Sequence, residues 1–177
     1  KHATLCFHDG SNGTEPPLLE IPTASDPSSS KCHISVETIY KSLVPFGPSY
    51  HNLKDGVTIS REGAMGRVYA PPLGDPVGPL GSPFPLDAAF HAACVWGQRY
   101  AGLVGFPVGF GLRRLFTPTR SGNTYTASVF PKRIHPDRFL ADIWITGMDG
   151  ALQEVVLNVV MRDVSGGRIK PPSFVGT

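Results

Sequence analysis

The chain has 177 residues, 41% hydrophobic and 17% charged, enough for one domain with a real core and cramped for two. Its formal net charge of +2 leaves no polyanion footprint, because Arg113-Arg114 and Lys132-Arg133 are isolated pairs and not a stripe, so nucleic acid is not an expected partner. No apolar run reaches the length of a membrane span and the first residues lack a signal-peptide core, so the expectation is a soluble, cytoplasmic domain with no membrane partner.

The chain enters on Lys1-His2-Ala3 without an initiating Met and reads as a piece cut from something longer. Residues 9–30 are dense in Gly, Pro, Ser and Asn and poor in large apolar side chains, the composition of a linker. Asn12-Gly-Thr fits a glycosylation acceptor, but no secretory signal supports it. Residues 35–43 place Val36, Ile39, Tyr40 and Leu43 at helical spacing, with Ser35 as cap and Pro45 just beyond. A turn-rich stretch, Phe46-Gly-Pro-Ser-Tyr-His51, leads into two strand-like runs over residues 57–69, broken at Glu62-Gly63. Residues 71–85 read as loop.

The next segment, Leu86-Asp-Ala-Ala-Phe-His-Ala-Ala-Cys-Val-Trp96, predicts a helix that continues to Ala101. Asp87, His91, Cys94 and Gln98 fall on one narrow stripe, while Leu86, Phe90, Ala93, Gly97 and Ala101 cover most of the rest. A helix apolar almost all round is wrapped by other structure, so Asp87 should meet little water. A desolvated carboxyl keeps its proton near neutrality and becomes a candidate general acid. The plainer alternatives are that Asp87 caps the helix and that His91 is a core histidine bonded to a carbonyl.

Strand patterns follow over residues 108–116, 124–131, 139–146 and 152–164, with Asp149-Gly150 the strongest hairpin signal and His135-Pro136-Asp137 a turn. The glycines at 102, 105, 109 and 111 match neither a dinucleotide fingerprint nor a P-loop, and read as a loop leaving the helix. Arg113 and Arg114, adjacent on a strand, point to opposite faces and read as solvated charge. Cys6, Cys32 and Cys94 have no C-x-x-C spacing, and suggest neither zinc nor disulfides. Helices do not alternate with strands, which excludes a parallel sheet. The predicted class is α+β, a hot-dog fold in which a curved antiparallel sheet wraps one long central helix, with an open α+β sandwich as the alternative.

In order along the chain, Phe46-Gly-Pro-Ser-Tyr-His51, Ser82-Pro-Phe-Pro-Leu-Asp-Ala-Ala-Phe-His91 and Asp149-Gly-Ala-Leu-Gln-Glu-Val-Val-Leu-Asn-Val-Val-Met-Arg162 resemble the second half of polyketide synthase dehydratase domains. That family carries a Tyr-Gly-Pro-x-Phe-Gln turn before a His-Pro-x-Leu-Leu-Asp-x-x-x-Gln/His helix. The resemblance implies a double hot-dog whose first half holds the base in a His-x-x-x-Gly-x-x-x-x-Pro motif. None of His2, His8, His33, His51 and His135 begins that motif here, so the base-bearing half is expected upstream. Residues 1–30 would then be the end of that half and a connector, 31–166 the second hot-dog, and 167–177 a tail or linker.

Further implications concern the site. Asp87 would be the acid in a dehydration of a 3-hydroxyacyl thioester borne on an acyl carrier protein, and His91 would hold its carboxyl by a hydrogen bond. Phe46, Gly47, Pro48, Tyr50, His51 and Pro83 would line the substrate. No metal or diffusible cofactor is implied, the phosphopantetheine arm arriving with the substrate. Partners would be the carrier protein, the first hot-dog half and other synthase domains, with self-association as a homo-oligomer where the face toward the first half is bare. This sequence departs from the motif at Phe46, Tyr50, His51 and Ser82, which points to an altered substrate shape. Two rivals keep the fold: a product-template-type cyclase with a similar His/Asp pair, and a degenerate, non-catalytic docking module.

Overall fold

The computed structural model describes residues 30–72 and 78–175. The expectations about Lys1-His2-Ala3, the linker up to residue 29, Asn12 and Cys6 lie outside them. Among the described residues, eight strands form one sheet in which every pairing is antiparallel: β1 (Cys32–Ile34), β2 (Leu53–Ser60), β3 (Gly63–Tyr69), β4 (Phe106–Gly109), β5 (Leu112–Leu115), β6 (Thr124–His135), β7 (Arg138–Gly147) and β8 (Leu152–Arg162). The order is β1-β2-β3-β6-β7-β8, with β4 and β5 both paired to β8 at the far edge.

One long helix, α2 (Phe84–Trp96), lies against β2, β3, β6 and β7 and continues through a π-helical turn to Ala101. This is the hot-dog architecture, and the inward strand positions show why it holds. Val57, Ile59, Ala64, Val68, Ala127, Val129, Phe139, Ala141, Ile143 and Ile145 alternate along their strands and are essentially inaccessible. Register shifts in the β2–β3, β6–β7 and β7–β8 pairings add the twist that curves the sheet.

The helix matches that concave face because it is built from small residues. Ala88, Ala89, Ala92 and Ala93 are fully buried and favour helix strongly, and prolines sit in its first turn, where no N–H partner is lost. At its C-terminal end the approach is closest: a Cβ at Gly97 would run into the ring of Phe139 on β7. We expect Gly97→Ala to lower the unfolding free energy by about 1–3 kcal/mol through overpacking, read as a lower urea midpoint at constant m. An unchanged midpoint would show that the helix has slack here.

Several elements differ from the sequence expectation, β1 being a strand that it did not include. The helix over residues 35–43 is a short α1 (Val36–Thr38), capped by Ser35 Oγ at 3.2 Å from the Thr38 N–H, followed by a π-helical turn (Ile39–Leu43) closed by the Val44 N–H on the Ile39 carbonyl. The strand over 108–116 splits into β4 and β5 at Phe110-Gly111, opposite Leu157 and Asn158 of β8, where Asn158 takes a positive φ of 54°. Residues toward the C-terminus pack back on the body, with Val175 buried in the core and its carbonyl accepting from Arg99.

Arg113 is not a solvated charge. Its guanidinium pairs with Glu154 of β8, whose side chain is 1% exposed, while Arg114 stacks over the Phe116 ring at 4.9 Å.

Candidate functional site

Asp87 does not cap α2. Pro83 holds the cap position with no side-chain hydrogen bond, and its carbonyl accepts the Asp87 N–H at 3.1 Å. The Asp87 side chain is thus free for other work, one turn inside the N-terminal end of the helix. It is not as dry as the sequence suggests: the side chain retains 37% exposure although Leu86 and Ala88 beside it are buried. Its two oxygens differ. Oδ2 is shut in and makes no hydrogen bond, which leaves Oδ1 as the oxygen that meets solvent or a ligand.

His91 Nε2 lies 3.5 Å from that buried Oδ2. The imidazole is 3% exposed, and burial first, then the charge of nearby His51, lowers its pKa to about 4. An uncharged ring beside Asp87 means the contact is no ion pair near neutral pH. Burial also raises the Asp87 pKa, the direction required of a carboxyl that must carry a proton to deliver.

Further along the same stripe, Gln98 reaches the segment before β2 and Cys94 lies against Gly105. Gln98 Nε2 donates to the Leu43 carbonyl at 2.9 Å and lies 3.5 Å from Cys94 Sγ, and burial pushes the Cys94 thiol up to about 11, so it is an inert packing group. Cys32 is free and exposed.

Around His91 the chain assembles a cluster of rings. Phe46 packs against the imidazole at 5.2 Å between centroids, Phe106 of β4 reaches Phe46 at 6.5 Å, and Tyr50 reaches it at 6.2 Å. His51 Nε2 donates to the Phe46 carbonyl at 2.7 Å and stacks on Tyr40 at 4.0 Å with 13° between planes. The structure therefore brings Phe46 and His51 to the Asp87–His91 pair. Tyr50 stands further out, and Gly47 and Pro48 form the exposed entry to a 3-10 turn (Pro48–Tyr50). Pro83 serves as the start of the helix, while the neighbouring loop is pinned by Thr119, whose Oγ1 donates to the Ser82 carbonyl at 3.0 Å.

Sequence reasoning missed Tyr40, whose Oη lies 3.4 Å from His91 Nδ1 and accepts the Leu53 N–H at 3.0 Å. A tyrosine on the apolar face of a short helix was the available signal, since a buried hydroxyl needs a partner. Two surface clefts, lined by Thr117, Arg120 and Gln153 and by Gly78, Thr119 and Ser121 among others, include none of these site residues. Near the Asp87–His91 pair the apolar rings of Phe46 and Tyr50 stand exposed, with Phe106 packed against Phe46.

The neutral state of His91 has a consequence for stability. The unfolded chain protonates this imidazole near pH 6.5, whereas the folded chain resists until about pH 4. The unfolded state thus binds more protons across that window, and stability falls as pH falls through it. Asp87 acts oppositely, because a raised folded pKa gives stability that is lost as pH rises. We expect the wild type to lose about 3 kcal/mol relative to His91→Gln between neutral pH and pH 4, measured by urea denaturation. A constant difference across the window would mean that His91 is charged in the folded state.

No family model and no curated protein matches the sequence. Solved structures do match. The dehydratase domain of RzxB from Pseudomonas fluorescens is 17% identical with a TM-score of 0.58, over 75% of this chain and 50% of that one. The dehydratase domain of a mycocerosic acid synthase-like polyketide synthase is 14% identical with a TM-score of 0.61, over 77% and 50%. The dehydratase domain from the CurJ module of Curacin polyketide synthase is 15% identical with a TM-score of 0.58, over 73% and 48%. The chain therefore spans about half the length of the polyketide synthase dehydratase domains it is similar to, as one half of a double hot-dog does. At these identities the likeness establishes the fold. Among the described residues no helix is long and apolar enough to cross a membrane.

Proposed function

We propose that this chain is the acid-bearing half of a dehydratase that removes water from a 3-hydroxyacyl thioester on an acyl carrier protein. The observation that carries this reading is Asp87: a carboxyl with a raised pKa, one oxygen buried 3.5 Å from a neutral His91 and the other turned outward at an apolar rim. In the reaction, a base on the partner half takes the proton from C2 and the C3–O bond breaks. Asp87 gives its proton to the departing hydroxyl, so that water leaves and the C2=C3 double bond forms. Asp87 ends as carboxylate and the base ends protonated, and a proton passing between them through solvent resets the pair. No metal or diffusible cofactor enters.

The partner half is part of the proposal. Val108, Phe110 and Leu112 stand exposed along the β4–β5 edge, which adjoins the ring cluster through Phe106, so a second hot-dog docked there would cover the Asp87–His91 pair and bring the base. The same bare edge supports self-association of the chain when it is alone.

The test gives the two-half protein and this chain alone a 3-hydroxyacyl thioester on carrier protein, and separately a linear polyketone thioester. Enoyl product from the hydroxyacyl substrate, made only when both halves are present, is expected. Ring-closed product from the polyketone with no enoyl product would favour the cyclase reading, and turnover of neither would favour a docking module.

A further inference from the structure

The phenol of Tyr40 has one proton to place. Its oxygen already accepts the Leu53 N–H at 3.0 Å, and His91 Nδ1 stands 3.4 Å away. Tyr40 is itself buried, with its ring stacked on His51 at 4.0 Å, so the hydroxyl has no solvent to turn toward. A neutral imidazole carries its single proton on either Nδ1 or Nε2, and its neighbours decide which. If Nδ1 bore the proton it would donate to Tyr40, and the phenolic proton would be left buried without an acceptor. If Nε2 bears it, Tyr40 donates to the bare Nδ1, and the Nε2–H stands 3.5 Å from Asp87 Oδ2, neither atom having another partner. The second arrangement gives the phenolic proton its acceptor and sets the two unpartnered buried atoms beside each other as donor and acceptor.

We propose that Tyr40 is a positioning residue that fixes His91 in its Nε2–H tautomer, so that Asp87 Oδ2 is held as an acceptor and the acidic proton is placed on the outward Oδ1. The reverse tautomer would bind the Asp87 proton to His91 Nε2 and aim it away from substrate. Tyr40 thereby decides which oxygen of the acid is loaded, without touching substrate itself. The kinetic consequence rests on the dehydratase reading, while the tautomer does not.

The experiment is imidazole nitrogen NMR on the 177-residue chain labelled with nitrogen-15, near neutral pH. The expected result is a pyridine-type Nδ1 and a pyrrole-type Nε2 for His91 in the wild type, with Tyr40→Phe moving both signals toward a tautomer mixture. A wild-type His91 protonated on Nδ1 overturns the proposal whether or not the variant folds, and so does a folded Tyr40→Phe with unchanged His91 signals. In the two-half protein, Tyr40→Phe should lower kcat about 10- to 100-fold with KM nearly constant. An unchanged kcat in an active enzyme contradicts the assigned role. A wild-type two-half protein with no dehydratase activity refutes the function reading alone, since the tautomer is read without turnover.

Discussion

Asp87→Asn in the two-half protein is expected to lower the rate of enoyl product formation by about 10² to 10⁴, equivalent to roughly 3–5 kcal/mol of transition-state stabilisation. The loss should fall on kcat, with KM little altered, because the amide keeps the shape of the carboxyl but cannot give up a proton to a leaving hydroxyl. The fold gives a clean control. Asp87 makes no capping hydrogen bond, and an amide oxygen can take the place of its buried oxygen, which lies 3.5 Å from His91 Nε2 and makes no hydrogen bond. Unfolding free energy should therefore stay within about 1 kcal/mol of wild type, the scale of one hydrogen bond. A variant that keeps its rate removes Asp87 from the chemistry, and one that unfolds would show that the carboxyl serves the helix instead.

The largest effect on stability is expected from Arg113→Met. Glu154 is 1% exposed and faces the helix side of the sheet, because its cross-strand partner Ile145 is a core residue. Removing the guanidinium leaves this carboxylate desolvated and without its partner, a loss of about 3–5 kcal/mol. The side chain of Arg113 is 24% exposed, which places the expectation toward the lower end of that range. The pair itself adds less than this suggests, since both groups also gave up hydration on folding. Hence Arg113→Met combined with Glu154→Leu should regain most of the loss. Urea denaturation of the single and double variants decides the matter: a single variant within 1 kcal/mol of wild type, or a double variant no better than the single, contradicts the account.

The apolar patterns were legible in the sequence because they report burial directly. The all-round apolar character of the segment from Leu86 announced a wrapped helix, and the alternation in β6, β7 and β8 announced the sheet around it. The i, i+4 spacing of Asp87 and His91 likewise placed both on one face of that helix. What remained hidden depends on partners far along the chain. Tyr40 meets His91 across 51 residues and Arg113 meets Glu154 across 41, and local spacing carries no trace of either. The break between β4 and β5 is set by Asn158 on the facing strand, and β1 is a three-residue edge too short for a pattern. The exposure of Asp87 is not legible either, because periodicity shows which residues share a helix face and not how far that face is covered in the first turn.

On the proposed reading Asp87 carries a proton for the leaving hydroxyl beside a neutral histidine. A carbon-13 NMR titration of the Asp87 carboxyl in this chain tests it without substrate or partner. A midpoint above the ordinary aspartate value of about 3.9 is expected, with the His91 ring uncharged near neutral pH. A midpoint at or below that value, or a charged His91 near neutral pH, would make the pair a simple ion pair at a helix end and contradict the role assigned to it.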